Sequence, residues 1–114
     1  MSPITTHVLD ISRGRPAADV AVVLESRGPD GAWREIGWGT TDADGRITDL
    51  LPDKTPLSLG IYRLRFATEG YFHGQGVQTF YPEVHVIVQV NEPAEHYHIP
   101  LLLSSFGYST YRGR

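Results

Sequence analysis

Short runs of apolar and polar residues alternating with a period of two constrain this chain more than any other feature. Each run lies roughly ten residues from the next and is closed by Gly, Pro or Asp, the spacing of strands and turns in an all-β sandwich. The clearest run is VHVIVQV, which sets Val84, Val86, Val88 and Val90 on one face of a strand. IYRLRF alternates as cleanly, with Tyr62, Leu64 and Phe66 on one side and Arg63 and Arg65 on the other. Residues 4–9 (ITTHVL) are β-branched and place Thr5, His7 and Leu9 on a common face. Val20 to Leu24 predicts a further strand, and Gly28-Pro29-Asp30-Gly31 turns it into a hairpin with Trp33 to Thr41. The final stretch, HYHIPLLLSSFGYSTYRGR, supplies two more strands.

Between these runs the chain reads as turns and loops. Ser12 to Pro16 breaks the first strand, because proline cannot donate to a ladder. Thr41-Asp42-Ala43-Asp44-Gly45-Arg46 is an acidic turn, with Asp supplying local hydrogen bonds and Gly the positive-φ position. Asp49 to Ser58 is a proline-containing loop. Thr68 to Gln75 predicts one or two helical turns, since Gly70, Gly74 and Gly76 oppose a long helix.

With 114 residues the chain is long enough for one core and one domain, spanning 1–114. A net charge of −3 and the lack of any basic run argue against nucleic acid and against a membrane surface as partners. Cysteine is absent, which removes disulfide and thiolate chemistry. No apolar run approaches the roughly 20 residues of a membrane-spanning helix, and the first residues already look like a strand, so a cytoplasmic location is expected.

Chemistry-bearing residues are few. Alternation puts His96 and His98 on one strand face and Tyr97, Ile99, Leu101 and Leu103 on the other. His7, His96 and His98 are the imidazoles available for a zinc site, but no carboxylate accompanies them, and no metal is expected. Asp42-Ala43-Asp44-Gly45 resembles a fragment of a calcium loop without its later ligands, which favours a plain turn. Arg46 follows as a surface residue or an anion clamp, while His73 and His85 read as solvated. Neither a Gly-rich phosphate loop nor a GxSxG elbow occurs.

Several blocks together carry a resemblance: ITTHVLD, RGRPA, TDADGR, YPEV, HYHIPLLLS and FGYSTYRG, in that order along the chain. They resemble the 5-hydroxyisourate hydrolase family, the transthyretin-related enzymes of urate breakdown. The resemblance implies a transthyretin-like sandwich of two four-stranded sheets with one short helix. It also implies a homotetramer, a dimer of dimers, with sites in a channel where dimers meet and with a small-molecule substrate and no cofactor. On this reading the catalytic residues are His7, Arg46 and His98, and the substrate is bound by His7, Arg46 and the terminal Tyr111, Arg112, Gly113 and Arg114. Two positions depart from the family pattern: Arg114 stands where a serine is usual, and Ser105 where a proline is usual. Ser105 is expected to loosen the last turn.

Overall fold

The computed structural model describes residues 1–113. Among these residues nine strands and one helix follow in the order β1 (Ile4–Asp10), β2 (Arg15–Pro16), β3 (Ala21–Arg27), β4 (Trp33–Thr40), β5 (Arg46–Ile47), β6 (Gly60–Phe66), α1 (Thr68–His73), β7 (Val84–Val90), β8 (Tyr97–Ser104) and β9 (Gly107–Thr110). One sheet runs β4-β3-β6-β7, antiparallel throughout, and the other runs β2-β1-β8-β9. The second of these carries an addition to the expected four strands, because the two-residue β5 also pairs with β1.

The two sheets close over inward-facing residues at the period read from the sequence. Ile4 and Val8 of β1, Leu64 and Phe66 of β6, Val84 and Val90 of β7, and Leu101 and Leu103 of β8 are all essentially inaccessible. Each large aliphatic or aromatic side chain removed from water in this way contributes about 1.5–3 kcal/mol, which makes register costly to change. A slip of one residue in β8 would turn Leu101 and Leu103 outward and His98 inward.

β8 occupies the whole of one edge of β1 in parallel register, from Ile4 opposite Tyr97 to Asp10 opposite Leu103. The other edge of β1 is shared. β5 pairs with Thr6 and His7, and β2 pairs with Leu9 and Asp10. Arg15–Pro16, read from sequence as part of a breaker, thus returns as a short edge strand, where a residue with no N–H is tolerated. Helix α1 is short, as its glycines require. It is fastened to β1 by the Tyr71 hydroxyl, which donates to Asp10 Oδ2 at 2.6 Å, and it buries Phe72. The turn containing Ser105 is held, since its carbonyl accepts from the Phe80 N–H and the Thr79 hydroxyl, each at 2.8 Å.

Candidate active site

β1 lies between β5 and β8, and this position assembles the polar face. His7 is opposite Arg46 on β5 and Pro100 on β8, while Thr5 is opposite His98. Alternation turns Thr5, His7, Arg46 and His98 to the outer side of the sheet, away from Ile4, Thr6 and Val8. Across β8 from β1, Gly113 bridges to His98, its N–H donating to the His98 carbonyl at 2.8 Å. Three segments far apart in sequence therefore meet around the His7–His98 diagonal.

The His98 ring is held from below. Thr5, only 2% exposed, sets its Oγ1 2.8 Å from His98 Nδ1 and 3.0 Å from His96 Nε2. The two rings lie nearly parallel, 27° between planes, with centroids 6.4 Å apart. Burial pushes the His98 imidazole below its ordinary value, and the positive charge of Arg46 and the neighbouring His7 and His96 push it the same way. The neutral ring, able to accept a proton, is thereby favoured near neutral pH.

Arg46 owes its place to the acidic turn. Asp42 Oδ1 accepts from the backbone N–H of Asp44 at 2.9 Å and of Arg46 at 3.0 Å, and the Asp42 N–H donates to the Arg46 carbonyl at 3.0 Å. Gly45, at φ 75°, completes the turn, and its carbonyl accepts from the Val8 N–H at 2.7 Å. A Cβ on Gly45 would stand 2.3 Å from the Val8 carbonyl oxygen, so only glycine lets the turn press against β1 and deliver Arg46 beside His7. Asp42-Ala43-Asp44-Gly45 is thus the plain turn expected from the sequence, its first carboxylate spent on backbone N–H groups. Among the described residues, no three His, Cys, Asp or Glu side chains group so as to hold a metal ion.

The strand pairing brings His7, Arg46, His98 and Gly113 together. Gly113 is packed so closely on His98 that a Cβ would lie 2.6 Å from the ring's Cδ2. Arg112 is engaged elsewhere: its guanidinium lies 4.4 Å over the Tyr97 ring and donates to Glu95 Oε1 at 2.9 Å. Tyr97 points to the side of the sheet opposite His98, so Arg112 anchors the tail. Tyr111 is exposed and borders, with Arg112 and Tyr97, a groove of about 310 Å³ against Val86 to Gln89 of β7. Arg114 lies outside the described residues. The sequence did not single out Thr5; its only signal was the face it shares with His7, because the pairing of its strand with that of His98 was not legible.

The HIUase/Transthyretin family model matches residues 4–113. A 5-hydroxyisourate hydrolase of Salmonella typhimurium is 46% identical over 110 residues, which span 96% of this chain and 79% of that protein. Among solved structures, sea bream transthyretin in complex with thyroxine superposes with a TM-score of 0.90 at 34% identity, covering 98% of this chain and 95% of that one. The 5-hydroxyisourate hydrolase of Klebsiella pneumoniae gives 0.84 at 32% identity, covering 97% and 98%. With the sandwich, the short helix and the matched span in agreement, the chain belongs to the HIUase/transthyretin family.

Proposed function

We propose that this protein hydrolyses 5-hydroxyisourate to 2-oxo-4-hydroxy-4-carboxy-5-ureidoimidazoline, a step of urate breakdown. The observation that carries the reading is the convergence of His7, Arg46 and His98 on one outer sheet face, with Gly113 flush against the His98 ring. The similarity to enzymes of that name supports the same substrate.

The reaction adds water to a ring carbonyl and breaks the adjacent C–N bond. His98, kept neutral by burial and by Arg46, takes a proton from the attacking water. His7, on the neighbouring outward position, relays a proton toward the leaving nitrogen. Arg46 holds the substrate and offsets the negative charge that gathers on the carbonyl oxygen, a task suited to a guanidinium that never loses its proton. Tyr111 and the tail backbone at Gly113 orient the ring, with Arg112 fixing the tail from the other side. Chains assemble as a dimer of dimers, so that two such faces line a shared channel.

The likeness to thyroxine-bound sea bream transthyretin favours a carrier as the second reading. One assay separates them: ultraviolet absorbance of freshly generated 5-hydroxyisourate, followed with and without protein. The enzyme accelerates decay above the spontaneous rate; a carrier leaves that rate unchanged. Light scattering tests the tetramer, which a single-chain mass would contradict.

A further inference from the structure

Below the reacting face lies a three-member chain, His96 Nε2, Thr5 Oγ1 and His98 Nδ1, with separations of 3.0 and 2.8 Å. A hydroxyl has one proton, so between two ring nitrogens it donates to one and accepts from the other. The tautomers of His96 and His98 are therefore linked: when one ring presents an N–H to Thr5, the other presents a lone pair. The two ends differ in access, since His98 is half-buried under Gly113 whereas His96 is exposed. The Thr5 hydroxyl itself is sealed from solvent by the strands around it.

We propose that Thr5 is a positioning residue that directs His98 toward substrate through Nε2 and connects it to solvent through His96. This rests on the hydrolase reading above. In the resting arrangement His98 Nδ1–H donates to Thr5, Thr5 donates to His96 Nε2, and His98 Nε2 carries only its lone pair. As the water oxygen bonds to the carbonyl carbon, its proton moves to His98 Nε2. His98 Nδ1 passes its proton to Thr5 while Thr5 passes its own to His96 Nε2, and His96 releases the proton on Nδ1 to solvent. His98 is then neutral with its proton on Nε2. It gives that proton, by way of His7, to the leaving nitrogen as the C–N bond breaks, and Thr5 and His96 shift back, His96 regaining a proton from solvent at Nδ1. One proton leaves and one returns, so the ring-opened acid is the only net product. Arg46 on β5 and His7 on β1 face His98, and the groups named in this relay include no carboxylate, so a lasting second charge on His98 is disfavoured. Passing the proton on avoids it.

Three variants and one spectroscopic measurement test this. Thr5→Val keeps the shape and removes the hydroxyl; kcat is expected to fall about 10- to 10²-fold with KM within twofold, at or below the lower end of the range for lost acid–base assistance. Thr5→Ser keeps the hydroxyl and is expected to restore kcat to within a few-fold of wild type. His96→Asn is expected to slow turnover at low buffer concentration and to recover as imidazole is added, a dependence the wild type lacks. In ¹⁵N-labelled wild-type protein, nitrogen shifts should report His98 protonated on Nδ1, and Thr5→Val should abolish that preference. Wild-type kcat in Thr5→Val, or an unchanged His98 tautomer in it, overturns the relay. Absence of any catalysis by the wild type instead overturns the hydrolase reading, while the tautomer measurement still decides whether Thr5 orients the ring.

Discussion

Both sheets carry charged or titratable side chains on their outer faces, but the two faces are built on opposite plans. On the β4-β3-β6-β7 sheet, Arg63 donates to Glu25 Oε1 at 2.7 Å, Arg65 lies 3.7 Å from the same oxygen, and Glu83 takes Arg65 and His85. Arg63 also stacks 4.4 Å over Trp33. The charges at the centre of that face, Glu25, Arg63, Arg65 and Glu83, each have an opposite neighbour. On the β1–β8 face, Arg46, His7 and His98 gather without any carboxylate within ion-pair distance among the described residues. A closed network spends its polarity on holding strands together, whereas an unbalanced one keeps its polarity for something that arrives from outside.

The strongest way to break this contrast is to remove an imidazole. His98→Asn and His7→Asn should each lower kcat by at least about 10²-fold with little change in Tm, measured by substrate decay and thermal melting. Gly113→Ala is the finer probe of the same face, since the added Cβ must displace either the His98 ring or the tail. A shift of the ring of about 1 Å should cost roughly 10- to 10²-fold in kcat/KM. Full activity in this variant would mean that the tail does not set the ring.

The opposite face should respond in the opposite way. Arg63→Ala is expected to leave kcat/KM unchanged while costing about 1.5–3 kcal/mol of stability, the range for a hydrogen bond to a charged group. The hydrogen bond from Arg63 lowers the Glu25 carboxyl from its ordinary 4.5, against the opposing effect of burial and with help from the charges of Arg63, Arg65 and His85. A carboxyl lowered in the folded state adds stability above its unfolded pKa and loses it as pH falls through the folded value. The Tm difference between Arg63→Ala and wild type should therefore shrink below about pH 4.5. A difference that stays constant into acid would assign the effect to the Trp33 stack instead. The smallest expected effect is on the pH profile. Because His98 is lowered from 6.5, the acid limb of kcat/KM should lie below that value, and Arg46→Gln should move it upward.

Much of this was legible in the chain because alternation is a local property. The outward placement of His98 against inward Ile99 and Leu101, the outward face shared by Thr5 and His7, and the acidic turn before Arg46 all follow from neighbouring residues. What could not be read was who lies beside whom. Thr5 meets His98 because β1 and β8 pair in parallel from opposite ends of the chain, and nothing within ITTHVL or HYHIPLLL specifies that partner or its register. Arg112 illustrates the same limit. As one of four tail residues it looked equivalent to Gly113, yet alternation along the tail and the Glu95 carboxylate turn it to the other side.

The most direct test of the central claim is the decay of freshly generated 5-hydroxyisourate followed in parallel with wild type, His98→Asn and Arg63→Ala at one neutral pH. Wild type and Arg63→Ala should accelerate decay equally, and His98→Asn should fall back toward the spontaneous rate. Equal acceleration by all three proteins, or none by the wild type, would contradict the assignment of the β1–β8 face as the hydrolytic site.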